Sequence, residues 1–144
     1  MNPRILIVDD HELLRRGVQG IIAQNGLGTV CGEAADGDEA VRKAQELQPD
    51  LIIMDVSMPK MGGIDATRAI RKFAPTLKII ILTMHQSSQM ALIAKQAGAN
   101  SFVEKTAVAE QLDHSLSVAC QPVPMADRMQ YEARLEAKQI YARW

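Results

Sequence analysis

A doubly wound α/β fold on a five-stranded parallel sheet is the class the sequence predicts. Three observations predict it. Short apolar runs alternate with amphipathic stretches from Ile5 to Ala119. The strongest runs, "ILIV" (Ile5 to Val8) and "KIIIL" (Lys78 to Leu82), have no polar face, as parallel strands covered on both sides require. The strict alternation of strand and helix calls for right-handed βαβ crossovers.

Each element can be justified in order. Ile5 to Val8 is β-branched and opens the sheet. Leu13, Leu14, Val18, Ile21 and Ile22 then share one helical face. Thr29 to Glu33 is the weakest strand. Asp36 is a helix cap, followed by an apolar face of Ala40, Val41, Ala44 and Leu47. Leu51 to Met54 is the third strand. After Gly62 and Gly63 comes a helix with Ile64, Thr67, Ile70 and Arg71. Lys78 to Leu82 is the fourth strand. Met90, Ile93, Ala94 and Ala97 mark a helix following Ser87. Ser101 to Val103 is the last strand, and Leu112, Leu116 and Ala119 mark a fifth helix after Thr106.

"QPVP", Gln121 to Pro124, breaks that helix. The expected division is a domain over 1–121 and a helical extension, or the start of a linker, over 122–144. In the extension Ala126, Met129, Ala133, Ala137, Ile140 and Trp144 recur at three- and four-residue steps. A lone helix of that length is marginal in water, so it is expected to pack on a protein surface: its own domain, the rest of a longer regulator or, as the favoured reading, the same helix in a homodimer.

The bulk composition sets limits. With 144 residues, 47% apolar, the chain fills one ordinary core. A net charge of -1 does not point to nucleic acid or an anionic membrane. Cys31 and Cys120 have no metal-ligand spacing and read as small buried hydrophobes in a reducing compartment. No segment is long enough to span a bilayer, and the N-terminal run does not read as a signal peptide. The expected location is the cytoplasm.

The chemistry collects where such a sheet binds ligands, outside the carboxyl ends of its strands. Strand one runs into Asp9 and Asp10, strand three into Asp55, strand four into Thr83 and strand five into Lys105. Each residue has an ordinary reading alone: cap, β-former or surface lysine. Together they form a restrictive set. Three clustered carboxylates repel one another, and a hard divalent cation such as Mg²⁺ removes the conflict. Asp55 can then act as a nucleophile toward phosphorus, with Lys105 neutralising charge and Thr83 donating a hydrogen bond. His11 follows the acid pair but is read as a first-turn residue pointing outward, because Mg²⁺ prefers oxygen. His85 is read as a loop residue near the site's mouth.

The segments "ILIVDDH", "LIIMDVSMPKMGGIDATRAIR", "IIILTMH" and "AGANSFVEK" resemble the receiver domain of bacterial two-component response regulators. The resemblance covers Arg4 to Cys120 and implies the flavodoxin-like strand order 2-1-3-4-5. It implies that Asp55 is the phospho-acceptor and that Mg²⁺ is held by Asp10 directly, by Asp9 through water, and by Asp55 and the backbone carbonyl of Ser57. It implies that Lys105 pairs with the phosphoryl group, that Thr83 is the switch hydroxyl and that Phe102 holds the rotating aromatic position. The partner it implies is a sensor histidine kinase or a phosphotransfer protein. Such a chain is a signalling switch that catalyses only its own phosphoryl transfer and dephosphorylation, changing its α4–β5–α5 surface.

"DDH" and "LTMH" are most similar to the subgroup whose receivers usually precede a helix-turn-helix domain. The stretch after Pro124 is too short to be expected to form one, so DNA is expected as a partner only where this receiver belongs to a longer chain. The sequence departs from the family pattern at Thr106, where proline is common, at Glu104, at Met84 and at Gly62. A metal-dependent phosphatase using Asp55 is the competing reading. It expects a second acid two residues on, where the chain has Ser57.

Overall fold

In the computed structural model of this protein the described residues are 2–84, 88–105 and 111. The fifth helix, Cys120, His85, Thr106 and the 122–144 extension expected from the sequence lie outside them.

The elements run β1 (Arg4–Val8), α1 (Glu12–Gln24), β2 (Thr29–Ala34), α2 (Gly37–Leu47), β3 (Leu51–Asp55), α3 (Gly63–Phe73), β4 (Lys78–Thr83), α4 (Ser88–Ala97) and β5 (Ser101–Glu104). All strand pairs are parallel, and the sheet order is β2-β1-β3-β4-β5. The doubly wound fold class and its flavodoxin-like order are therefore as expected. Each strand lies within about two residues of its sequence run.

The apolar runs are buried on both faces because helices cover both. On one face Ile5, Ile7, Leu51, Ile53, Ile80, Leu82 and Val103 pack with Val18 and Ile22 of α1. On the other, Leu6, Val8, Ile52, Met54, Ile79 and Ile81 pack under Ala40 and Ala44 of α2, Ala66 and Ile70 of α3, and Ala94 of α4. Fully burying an aliphatic side chain of this size contributes roughly 1.5–3 kcal/mol. The sheet is therefore the rigid platform that fixes its carboxyl edge.

Local chemistry sets the helix starts. Asp36 caps α2 by accepting a hydrogen bond from the Glu39 amide at 2.8 Å, and Glu39 Oε2 returns one from the Ala35 amide at 3.2 Å. α3 begins at Gly63 because nothing larger fits there. A Cβ at that position would lie 2.0 Å from the Asp55 carbonyl oxygen.

One core expectation fails. Leu13 is 82% exposed, while Val18 and Ile22 carry the buried face of α1. At 3.6 residues per turn Leu13 lies on the opposite side of the helix from Ile22, so both cannot face the sheet.

Arg71, expected on the inward face of α3, is 92% buried as the complement of its 8% exposure. Burial of its charge is tolerated because its fork is filled. Nε donates to the Gly98 carbonyl at 2.8 Å, Nη1 to the carbonyls of Ala74 and Leu77, and Nη2 to Asn100 Oδ1 at 2.7 Å. It ties the α3–β4 connection to the α4–β5 connection. Gly98, at φ 108°, supplies the left-handed turn between α4 and β5.

Candidate functional site

The sheet order puts β1 between β2 and β3, so the residues after β1 meet the end of β3. Asp9 follows β1 directly and is 1% exposed. Asp55 closes β3 and is 2% exposed. Asp10 is the more open acid, with its side chain 30% exposed. The Asp9 backbone amide donates to the Ala34 carbonyl at 3.0 Å, and its Oδ1 accepts from the His11 amide at 2.9 Å. Asp55 Oδ1 accepts from the Ser57 amide at 3.3 Å.

Lys105, one residue beyond β5, crosses the sheet edge to both buried acids. Its Nζ stands 3.0 Å from Asp55 Oδ1 and 3.1 Å from Asp9 Oδ2, with the side chain 5% exposed. Glu104 does not draw the lysine away, because the lysine ammonium stands on both acids. Thr83 is buried at the end of β4, one residue past Leu82, the register partner of Asp55. Phe102 is partly buried against the α2–α3 face of the core, opposite Ile81 in register. Ser57 lies in the loop that follows Asp55.

The charges do not balance. Burial pushes the Asp55 carboxyl above the ordinary aspartate range. Lys105 opposes that push, and the Asp9 charge adds to it. Burial also works against the charge on Lys105, but hydrogen bonding to Asp55 and the nearness of Asp9 outweigh it and raise its pKa. A single ammonium thus serves two buried carboxylates. Asp9 Oδ2 is fully buried and receives no well-aligned hydrogen bond despite the 3.1 Å charge contact.

A buried carboxylate oxygen that only shares one ammonium and has no aligned hydrogen bond can take a further cation, so the residues fit a divalent metal. Asp9, Asp10, His11 and Asp55 each offer a ligand atom, and these atoms lie within 4.8 Å of one another.

The response regulator receiver domain family matches residues 5–117 of this sequence. The chain belongs to the response regulator receiver family. Receiver domains of two-component systems serve phosphorylation-dependent signalling, and this chain is of that kind. The response regulator protein VraR of Staphylococcus aureus is 39% identical over 112 residues, which is 78% of this chain. The chain spans about half, 54%, of the length of that curated relative. The crystal structure of a LuxR-family two-component response regulator from Aurantimonas sp. SI85-9A1 is 37% identical with a TM-score of 0.79. It covers 95% of this chain and 99% of its own. The response regulator domain of Thermotoga maritima CheB is 32% identical with a TM-score of 0.78, over 86% of this chain and 100% of that one. No helix among the described residues of this receiver is long and apolar enough to cross a membrane.

The fold of the receiver brings Asp9, Asp10, Asp55 and Lys105 together. Two residues at the site behave differently from the reading of the sequence. His11 is exposed, but its Nδ1 turns back to within 3.1 Å of Asp10 Oδ1 and 3.3 Å of Asp9 Oδ1. Arg15 was not singled out from the sequence. Its Nη1 donates to the Asp9 backbone carbonyl at 2.6 Å, and its Nε pairs with Glu33 Oε1 at 3.0 Å. Among the described residues, the neighbouring Arg16 pairs with exposed Glu12 on its own helix. Two adjacent arginines give no sequence signal of which one reaches the site.

Proposed function

We propose that this receiver is a switch that accepts a phosphoryl group on Asp55 from a phosphohistidine of a sensor histidine kinase or phosphotransfer protein. One observation carries this reading. Asp55 is a buried carboxylate 3.0 Å from a buried ammonium, inside a group of ligand atoms that fits a divalent cation. Burial weakens its hydration and raises its energy as an anion, which favours attack on an electrophile.

In the step proposed, an Asp55 carboxylate oxygen attacks phosphorus and the phosphorus–nitrogen bond to the donor histidine breaks. The electron pair stays on the imidazole nitrogen. The product on this chain is an acyl phosphate. Asp9, Asp10, Asp55 and the Ser57 carbonyl would hold Mg²⁺, which when bound neutralises the carboxylates and the phosphoryl oxygens. Lys105 holds Asp55 in place before transfer and then pairs with a phosphoryl oxygen. Dephosphorylation is the same site's transfer to water.

The readout is electrostatic. A phosphoryl group brings nearly two negative charges and strong acceptor oxygens to the end of β3. Thr83 donates its hydroxyl to one of them, and Phe102 follows by turning inward, changing the face made by α4 and β5. Where a helix-turn-helix unit follows this receiver in a longer chain, that face is the input to DNA binding. Where the 122–144 extension is the continuation, that segment pairs two copies.

The test is mass spectrometry of the intact chain after acetyl phosphate and Mg²⁺. The wild type gains one alkali-labile phosphoryl group and Asp55→Asn gains none. An equal gain in Asp55→Asn would remove the reading.

A further inference from the structure

We infer that His11 is a nitrogen ligand of the metal at this site and that it shifts the site's preference from Mg²⁺ toward a borderline divalent ion of the Mn²⁺ class. The inference rests on the proposed metal site and extends it to one more residue. The imidazole Nδ1 lies 3.1 Å from Asp10 Oδ1 and 3.3 Å from Asp9 Oδ1. An octahedral ion with bonds of about 2.1 Å holds adjacent donor atoms about 3.0 Å apart. These spacings, which without an ion are direct polar contacts, also fit donor atoms on neighbouring corners of one coordination sphere.

The backbone supports this placement. His11 is the residue before α1, with extended φ and ψ of -95° and 111°, and its side chain makes no capping hydrogen bond. Its amide is fixed on Asp9 Oδ1 at 2.9 Å, which keeps the ring at the rim of the acid group. Arg15 fixes the Asp9 carbonyl from the next turn of the same helix. The ring is 68% exposed, so it can leave the carboxylates and present a lone pair without disturbing the core. With metal bound, the neutral ring's Nδ1 lone pair faces the ion.

The chemistry of the ion then follows from the donor set. Carboxylates and carbonyls suit Mg²⁺ and Mn²⁺ alike. An imidazole adds little for Mg²⁺, which prefers oxygen, and more for later divalent ions. Asp9 Oδ2, buried and without an aligned hydrogen bond, is the second oxygen that calls for a cation here.

The experiment uses the full chain, stripped with chelator and titrated with Mg²⁺ and with Mn²⁺ by calorimetry at one mildly alkaline pH. Asp10→Ala, His11→Ala and His85→Ala are titrated beside the wild type. In the wild type and in His85→Ala, Mn²⁺ binds at least tenfold tighter than Mg²⁺. In His11→Ala, the Mn²⁺ affinity falls about tenfold and the Mg²⁺ affinity changes less than twofold. Pulsed electron paramagnetic resonance of bound Mn²⁺ shows imidazole nitrogen coupling in the wild type and none in His11→Ala. An unchanged Mn²⁺-to-Mg²⁺ ratio in His11→Ala, with both ions still lost in Asp10→Ala, overturns the role of His11 alone. Binding that survives Asp10→Ala overturns the metal site itself, and this inference with it.

Discussion

Lys105 Nζ lies 3.0 Å from Asp55 Oδ1 and so links the end of β5 to the end of β3, with β4 between them. The contact is buried on both sides and is shared with Asp9. Without metal, this ammonium is what lets two carboxylates sit under a closed sheet edge.

Removing that cation leaves two buried anions facing each other. Lys105→Met is expected to lower the stability of the chelator-treated protein by about 3 kcal/mol, because an uncompensated buried charge is costly. Mg²⁺ replaces the missing charge, so it should restore more melting temperature in this variant than in the wild type. Thermal denaturation with and without Mg²⁺ checks both statements. An equal Mg²⁺ effect in the two proteins would contradict them.

Removing the anion instead has the opposite sign. The folded-state pKa of Asp55 is raised above its ordinary value, so the folded protein binds this proton more tightly than the unfolded chain. Stability is then lost as pH rises from the ordinary aspartate range through the raised pKa, and the cost is full above it. Asp55→Asn avoids that cost. In chelator at neutral pH it should melt roughly 3 °C higher than the wild type, equivalent to about 1 kcal/mol. The difference should vanish in acid, below the ordinary aspartate pKa. A variant equally or less stable at neutral pH would refute the assignment of strain to Asp55.

The connection out of β3 depends on one missing methyl. A Cβ on Gly63 would collide with the backbone of Asp55 and Val56, not with a movable side chain. The Gly63 amide also donates to the Val56 carbonyl at 2.9 Å, which closes the loop beneath Asp55. Gly63→Ala is expected to cost about 3 kcal/mol and to weaken Mg²⁺ binding. Chemical denaturation and calorimetry measure the two effects. Gly62→Ala is the control, because its Cβ would come only to 3.2 Å from the Val56 carbonyl oxygen.

Arg71 is the chief polar tie away from the site. Arg71→Met fills the space but leaves the carbonyls of Ala74, Leu77 and Gly98 without their donor. The expected loss is about 3 kcal/mol. Arg71→Lys should recover only part of it, since an ammonium cannot reproduce the fork. Urea unfolding distinguishes the two variants. Wild-type stability in Arg71→Met would show that the network contributes nothing.

The sequence by itself determined the strands, their alternation with helices in a parallel sheet and the acids at their ends. Those properties are local or periodic. β-branched runs such as Ile79 to Ile81 can only be strands buried on both faces, and Asp36 announces a helix start wherever it stands before one. The tertiary structure decided matters that depend on direction and distance. It turned Leu13 to solvent, although Leu13 sat on a proposed apolar face. It chose Arg15 over Arg16 to hold the Asp9 carbonyl. It brought the His11 ring to the acids. It placed Lys105 against residues 50 and 96 positions away in sequence. A periodic pattern gives the face of a helix to within a residue or so. Which side chain reaches a given oxygen depends on the angle at which that helix crosses the sheet, and only the packed core sets that angle.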